Sequence, residues 1–173
     1  MPTSDPREIL LTHNRWATKN MLEACSILSE EQFHHRFEMG CGSLHDNLLH
    51  VLAAMRGWGD LLAGREQRAR LDEDERRRSP QEMLSLLDKI SDDLEAAARA
   101  HSVDEVVTAS RGGRTYTFAR GGVITHVTTH GMHHRAQCLN MLRQLGVETL
   151  PPSAVVEWIV MADSESVPQK LCP

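Results

Sequence analysis

The chain has 173 residues, 40% hydrophobic and 25% charged, with a formal net charge of -5 and a pI near 6.0. That length suits one domain around one core, and aromatics at only 4% leave the core to Leu, Val, Ile, Met and Ala. The acidic balance argues against a general nucleic-acid surface, which needs clustered Lys and Arg, and no stretch approaches the ~18 apolar residues of a membrane span.

The opening "MPTSDPREILL" has no basic segment leading into an apolar run, so it does not read as a secretion signal. None of the four cysteines, Cys25, Cys41, Cys138 and Cys172, forms a C-x-x-C pair. They are expected to be reduced thiols in a cytoplasmic protein.

Ser4 or Asp5 can cap a first helix over about 6–28, with Pro6 in its first turn. Ile9, Leu10, Trp16, Ala17, Met21 and Leu22 approximate helical spacing along it. "SEEQF" at 29–33 reads as a short helical turn, and "MGCGS" at 39–43 as a break. Ser43 then caps a second long helix to about 63, with an apolar face that includes Leu48, Leu52, Met55 and Leu62, and Gly64 as its stop.

The connection "REQRARLDEDERRR" is charged, and its basic end, Arg76, Arg77 and Arg78 after the acidic run from Asp72 to Glu75, reads as a solvated loop or a helix start. Ser79-Pro80 opens a third helix to about 100, with Met83, Leu87, Ile90 and Leu94 on one side. Over 103–118, Val103, Val106, Val107, Tyr116 and Phe118 flank "RGGR", which suggests a short hairpin or an extended excursion. A fourth long helix runs from 121 or 122 to 145 and stops at Gly146. A short fifth follows Pro151-Pro152, over about 153–162. The reading is a single all-α helical-bundle domain over 1–162 and a loosely held tail over 163–173.

Histidine is the unusual feature. "HVTTHGMHHRAQ" holds His126, His130, His133 and His134, out of ten in the chain. On a helix turning about 100° per residue, positions 126, 130 and 134 step along one face. An i, i+4 pair can present two imidazoles to one ion. Three protein ligands are commonly needed. The second helix offers His45, in its first turn and nearer solvent, and His50, among Leu49, Val51, Leu52 and Ala53. His50 is therefore the better third ligand. Spacing alone leaves both readings open: a metal site, or buried histidines satisfied by other partners. His126 is the main competitor for a ligand role. His133 cannot point the same way as His134 and is expected to line a cleft or an interface. His13, His34, His35 and His101 are expected at the surface or at caps.

Two segments carry a resemblance. "GSLHDNLLHVLAAMRGW" at 42–58 and "HVTTHGMHHRAQCLNMLRQLG" at 126–146 are similar to the paired histidine elements of the DinB/YfiT family of metalloenzyme-like proteins. The first is similar to a Gly-Ser pattern running through a His toward a Trp, the second to H-x-x-x-H-R-G-Q. "HNRWATKNML" resembles the family's opening helix. The resemblance covers about 6–162. It implies metal ligands at His50, His130 and His134 and an up-down-down-up four-helix bundle, often a homodimer. Here that bundle carries a short additional C-terminal helix. Two positions depart from the pattern: Ala136 stands where glycine is usual, and His133 where an aromatic such as Tyr is common.

Three neutral imidazoles leave the full charge of a divalent ion, zinc or nickel, to act on bound water, a thiol or a carbonyl. The resemblance favours thiol-dependent S-transfer or isomerisation of a small molecule, with a low-molecular-weight thiol such as mycothiol or bacillithiol as cosubstrate. A metal-dependent hydrolase is the alternative; a non-catalytic, stress-related metal-binding dimer is the contrasting reading. Asp46 and Gln137 are candidates to orient the imidazoles, although Asp46 also suits a first-turn carboxylate favoured by the helix dipole. Arg135 is read either as an anchor for an anionic substrate or as half of a surface ion pair. No nucleic-acid or membrane partner is expected.

Overall fold

The computed structural model describes residues 3–74 and 76–166. Helix α1 spans Pro6–Cys25, α2 Glu30–Phe33, α3 Leu44–Leu62, α4 Pro80–Arg99, α5 Arg120–Gln144 and α6 Val155–Ser166; strands β1, Val106–Arg111, and β2, Arg114–Ala119, lie between α4 and α5. The starts are chemically specified. Asp5 accepts from the Arg7 N–H, Ser43 from the Asp46 N–H, and Ser79 forms a reciprocal capping box with Glu82 ahead of Pro80.

Helices α1, α3, α4 and α5 form the bundle, and their cross-contacts give its direction. Glu8 pairs with Arg99, and Arg15 with Asp88 and Asp92, so α1 and α4 are antiparallel. The Arg78 N–H just before α4 meets His45, while Gly59 packs on Leu94, so α3 and α4 are parallel. His134 meets Asn47, and the Arg120 guanidinium meets the Leu62 carbonyl, so α3 and α5 are antiparallel. The chain therefore runs up, down, down, up, with α3 flanked by α4 and α5 and separated from α1 by the core. That core is aliphatic and sulfur-rich: Met21, Leu22, Leu48, Leu52, Met55, Met83, Leu87, Leu94, Met141 and Leu142 are all but fully buried.

Two helix boundaries differ from the sequence reading, and the hairpin it offered for 103–118 is present. Helix α1 stops at Cys25 rather than near 28, because the Ser26 and Leu28 N–H groups bond three residues back, to the Glu23 and Cys25 carbonyls. The 103–118 excursion is an antiparallel hairpin, paired from Val106 opposite Ala119 to Arg111 opposite Arg114, with Gly112 and Gly113 at positive φ in its two-residue turn. β2 passes into α5 without a loop. Helix α6 begins at Val155 and continues to Ser166, four residues into the stretch read as tail; Cys172 and the rest of that tail lie outside the described residues. The α6 segment is fastened to α1 through His13 Nε2 and the Ser153 carbonyl, 2.9 Å apart, and through the Asn20 amide, which donates to the Pro152 carbonyl at 3.2 Å.

The charged connection after α3 is not a free solvated loop. Asp60, 1% exposed, accepts from the Arg68 N–H, Nε and Nη2 at 2.7–3.2 Å. The Arg65 N–H bonds to the Asp60 carbonyl, Arg56 reaches the Ala69 carbonyl, and Leu71 is buried in a single 3-10 turn, Leu71–Glu73. These ties bring Asp72 against the middle of α3. Arg78, at the end of the basic run, is also buried and pairs with Asp74.

Candidate metal centre

The antiparallel α3–α5 contact faces His50 toward His130 and His134. The three ring centroids lie 4.5–5.0 Å apart, and one nitrogen from each falls within 4.8 Å of the others. His50 Nε2 and His130 Nε2 are 3.2 Å apart. The structure thus brings together the three histidines that the sequence pairs with one another.

What turns these rings was not visible in the sequence. His50 Nδ1–H donates to Asp72 Oδ2 at 2.8 Å, which leaves its Nε2 lone pair facing His130. Asp72 is itself gripped by Arg70, whose Nε and Nη2 reach its two oxygens at 3.0 and 2.5 Å. Burial acts to raise the Asp72 pKa, but hydrogen bonds from Arg70 and His50 outweigh it and keep the group below its usual range. His134 Nδ1–H donates to Asn47 Oδ1 at 3.0 Å, freeing its Nε2 in the same way. Asn47 is fixed in turn: its amide donates to the Ser43 carbonyl, and its Oδ1 also accepts from the Cys41 N–H. Gly40 explains the glycine-rich break. At φ +55° it presses so close to Asn47 and Gln137 that a Cβ would stand 2.5 Å from Asn47 Oδ1 and 2.4 Å from Gln137 Oε1.

His130 is the least satisfied ring. Its Nδ1 is buried without a partner among the described residues. Burial, followed by the neighbouring His134, His50 and His126, pushes its pKa down to about 4. Burial, followed by the neighbouring His50 and His133, also lowers His134, with the nearby Gln137 side chain acting in the opposite direction. His130 and His134 are therefore biased toward the neutral form, as ligation requires. Two Nε2 atoms facing each other at 3.2 Å, with one ring already committed to donate through Nδ1, form a donor set that a divalent cation fits.

The other candidates fall elsewhere. Asp46 turns its carboxylate to His45 Nδ1 and Arg36, at 2.8 and 2.7 Å, while His50 Nδ1 is taken up by Asp72. His45 is 5% exposed rather than near solvent: it stacks beside His34 and accepts the Arg78 N–H. His126 lies outside the triad, exposed, with its ring 5.7 Å from His130 and 5.0 Å from Trp58. His133 is exposed and accepts from the Gln137 amide at 3.0 Å, while Gln137 Oε1 is buried without a partner among the described residues.

Arg135 corrects both of its expected roles. It is 1% exposed and points into the α1–α5 contact, where Nη1 donates to Asn14 Oδ1 and Thr18 Oγ1 at 2.7 and 3.0 Å. It reaches neither a surface partner nor the triad, since one residue along a helix is about 100° of rotation. Burial lowers its pKa to about 10. His13, expected at the surface, is likewise 5% exposed and tied to Ser153. Cys138 is fully buried and its thiol is driven upward by desolvation, so it behaves as a small hydrophobe.

Comparison with known proteins gives one consistent picture. A family model described as DinB family matches residues 1–158. The chain is 24% identical over 152 residues to "Protein DinB" of Bacillus subtilis strain 168, covering 82% of this chain and 87% of that protein. It also superposes on the crystal structure of a DinB-like protein from Bacillus cereus ATCC 10987 with a TM-score of 0.64. That pair shares 18% identity over 83% of this chain and 92% of that one, a likeness of fold.

Proposed function

The chain belongs to the DinB family, and on that premise we propose that it is a metal-dependent enzyme that transfers a low-molecular-weight thiol to a small molecule. The observation that carries the reading is the pair of oriented imidazoles. Asp72 and Asn47 each take an Nδ1–H, leaving Nε2 of His50 and of His134 free, and one ring nitrogen from each of His50, His130 and His134 lies within 4.8 Å of the others. A divalent ion such as zinc or nickel, held by these three neutral rings, supplies a Lewis-acidic centre that favours thiolate over thiol near neutral pH.

The chain's own residues do the rest. Asp72 stabilises the Nδ1–H tautomer of His50, and Arg70 holds that carboxylate ionised. Asn47 does the same for His134 without adding charge, so the donor set as a whole stays neutral. His126 and His133, both exposed, flank the cluster along α5.

The test begins with protein made without a histidine tag. Elemental mass spectrometry should find about one divalent ion per chain, lost in His50→Ala and in His130→Ala. Loaded protein should then consume a low-molecular-weight thiol in the presence of an electrophile, and the variants should not. Turnover of esters or amides without thiol would move the protein to the hydrolases. Absence of metal even after incubation with zinc or nickel would sink both enzymatic readings. The homodimer implied by the family is checked on the same samples by light scattering.

A further inference from the structure

Gly122 stands in the first turn of α5 at a backbone conformation open to any residue, and a Cβ there would meet no atom within 4 Å. Neither close packing nor a left-handed φ requires glycine at that point, and glycine weakens a helix. The space above it belongs to an open cavity of about 520 Å³, walled by Trp58 of α3, Phe118 of β2, and Val123 and His126 of α5. That size falls within the range of small-molecule sites. No Asp, Glu, Lys or Arg lines it. Trp58 stands edge-on to Phe118, with centroids 6.0 Å apart at 86°, and to His126, at 5.0 Å and 72°. The walls are thus rings set at right angles, suited to a flat apolar guest. His126 is shared: it lines the cavity and lies 5.7 Å from His130, so the cavity adjoins the triad.

We propose that this cavity is the subsite for the electrophilic substrate, and that it takes a neutral, flat, aromatic or unsaturated small molecule whose reactive end lies past His126 at the triad. The substrate role rests on the thiol-transfer reading; the binding chemistry stands on the cavity alone.

The probe is N-phenyl-1-naphthylamine, neutral and fluorescent in apolar sites, titrated into the tag-free protein. One saturable site per chain is expected. Gly122→Phe, whose Cβ would meet no atom within 4 Å, should weaken binding at least tenfold while circular dichroism and thermal unfolding stay those of a folded protein. Trp58→Leu should weaken it severalfold. The His50→Ala/His130→Ala double variant should bind the probe within twofold of the parent. Absence of metal from the parent protein with probe binding intact would remove the thiol-transfer reading and leave the cavity standing. Non-saturable binding, or unchanged affinity in both folded cavity variants, overturns the proposal. Equal affinity for the sulfonated analogue 1-anilinonaphthalene-8-sulfonate in chelator-treated protein overturns its neutral-guest chemistry.

Discussion

Replacing Asp72 tests whether the loop carboxylate sets the metal affinity. Asp72 makes three charge-assisted bonds: one from His50 Nδ1 at 2.8 Å and two from Arg70. Because Arg70 neutralises it, its effect on the ion is chiefly orientational rather than coulombic. Asn at 72 keeps an oxygen that can accept from His50 but turns an NH2 toward Arg70, so one bond is lost and the tautomer survives. Ala removes the acceptor and lets the ring rotate. Losing a partner of a ligating histidine costs about 10–100-fold in metal affinity. Asp72→Asn should fall near the lower figure and Asp72→Ala near the upper, or roughly 1.4 and 2.8 kcal/mol at about 1.4 kcal/mol per decade. Competition against a fluorescent zinc chelator reads this directly, with urea unfolding to confirm that both variants are folded. Affinities within twofold of the parent in both variants would refute the claim that Asp72 orients His50.

Acid should destabilise the metal-free protein well above the carboxylate range. Folding lowers the pKa of His130 to about 4 and also depresses that of His13, burial being the leading cause in each. Below pH 6.5 the unfolded chain then binds protons that the folded chain refuses, so stability is full above 6.5 and lost as pH falls toward 4. With partial solvent screening, the His130 share is on the order of 1–2 kcal/mol; a urea midpoint flat between pH 7 and 4.5 in chelator would contradict this. Gly131→Ala places a Cβ 2.5 Å from Asn14 Oδ1 and 2.8 Å from Arg135 Nη1. It should destabilise by about 1–3 kcal/mol in denaturant titration, and a neutral result would mean that α1 and α5 are not packed this closely. Asp60→Ala strips the buried acceptor of Arg68 and should cost about 1–3 kcal/mol. It should also weaken metal binding, though less than Asp72→Ala; full stability would show the loop is not anchored there.

The bundle was legible because its signals are local. Serine caps, Pro6 and Pro80, and helical apolar spacing put α1, α3, α4 and α5 within a few residues of their places. The triad was legible for the same reason: His130 and His134 share a turn, and His50 sits inside an apolar run. Their supports were not. Asn47 lies on α3 only three residues before His50, yet nothing in the sequence says that it reaches His134 of another helix. Asp72 sits in a stretch of alternating acids and bases with no periodicity, and only the buried Asp60–Arg68 pairing shows where that stretch goes. Arg135 misled because arginine is so rarely buried without a carboxylate. The space it enters exists because Gly131 has no side chain to fill it.

The connection between α3 and α4 has a consequence for what this chain can tolerate. Surface loops usually accept insertions at little thermodynamic cost. Here the Asp60 anchor at Arg68 and the helix start at Ser79 fix both ends of a span that must deliver one carboxylate to His50. One residue inserted between 68 and 72 would leave helices, core and all three histidines in place while sliding Asp72 out of reach. The length of this loop sets the Asp72–His50 contact in a way that composition does not disclose, and grafts or deletions there are to be judged by that contact as well as by folding.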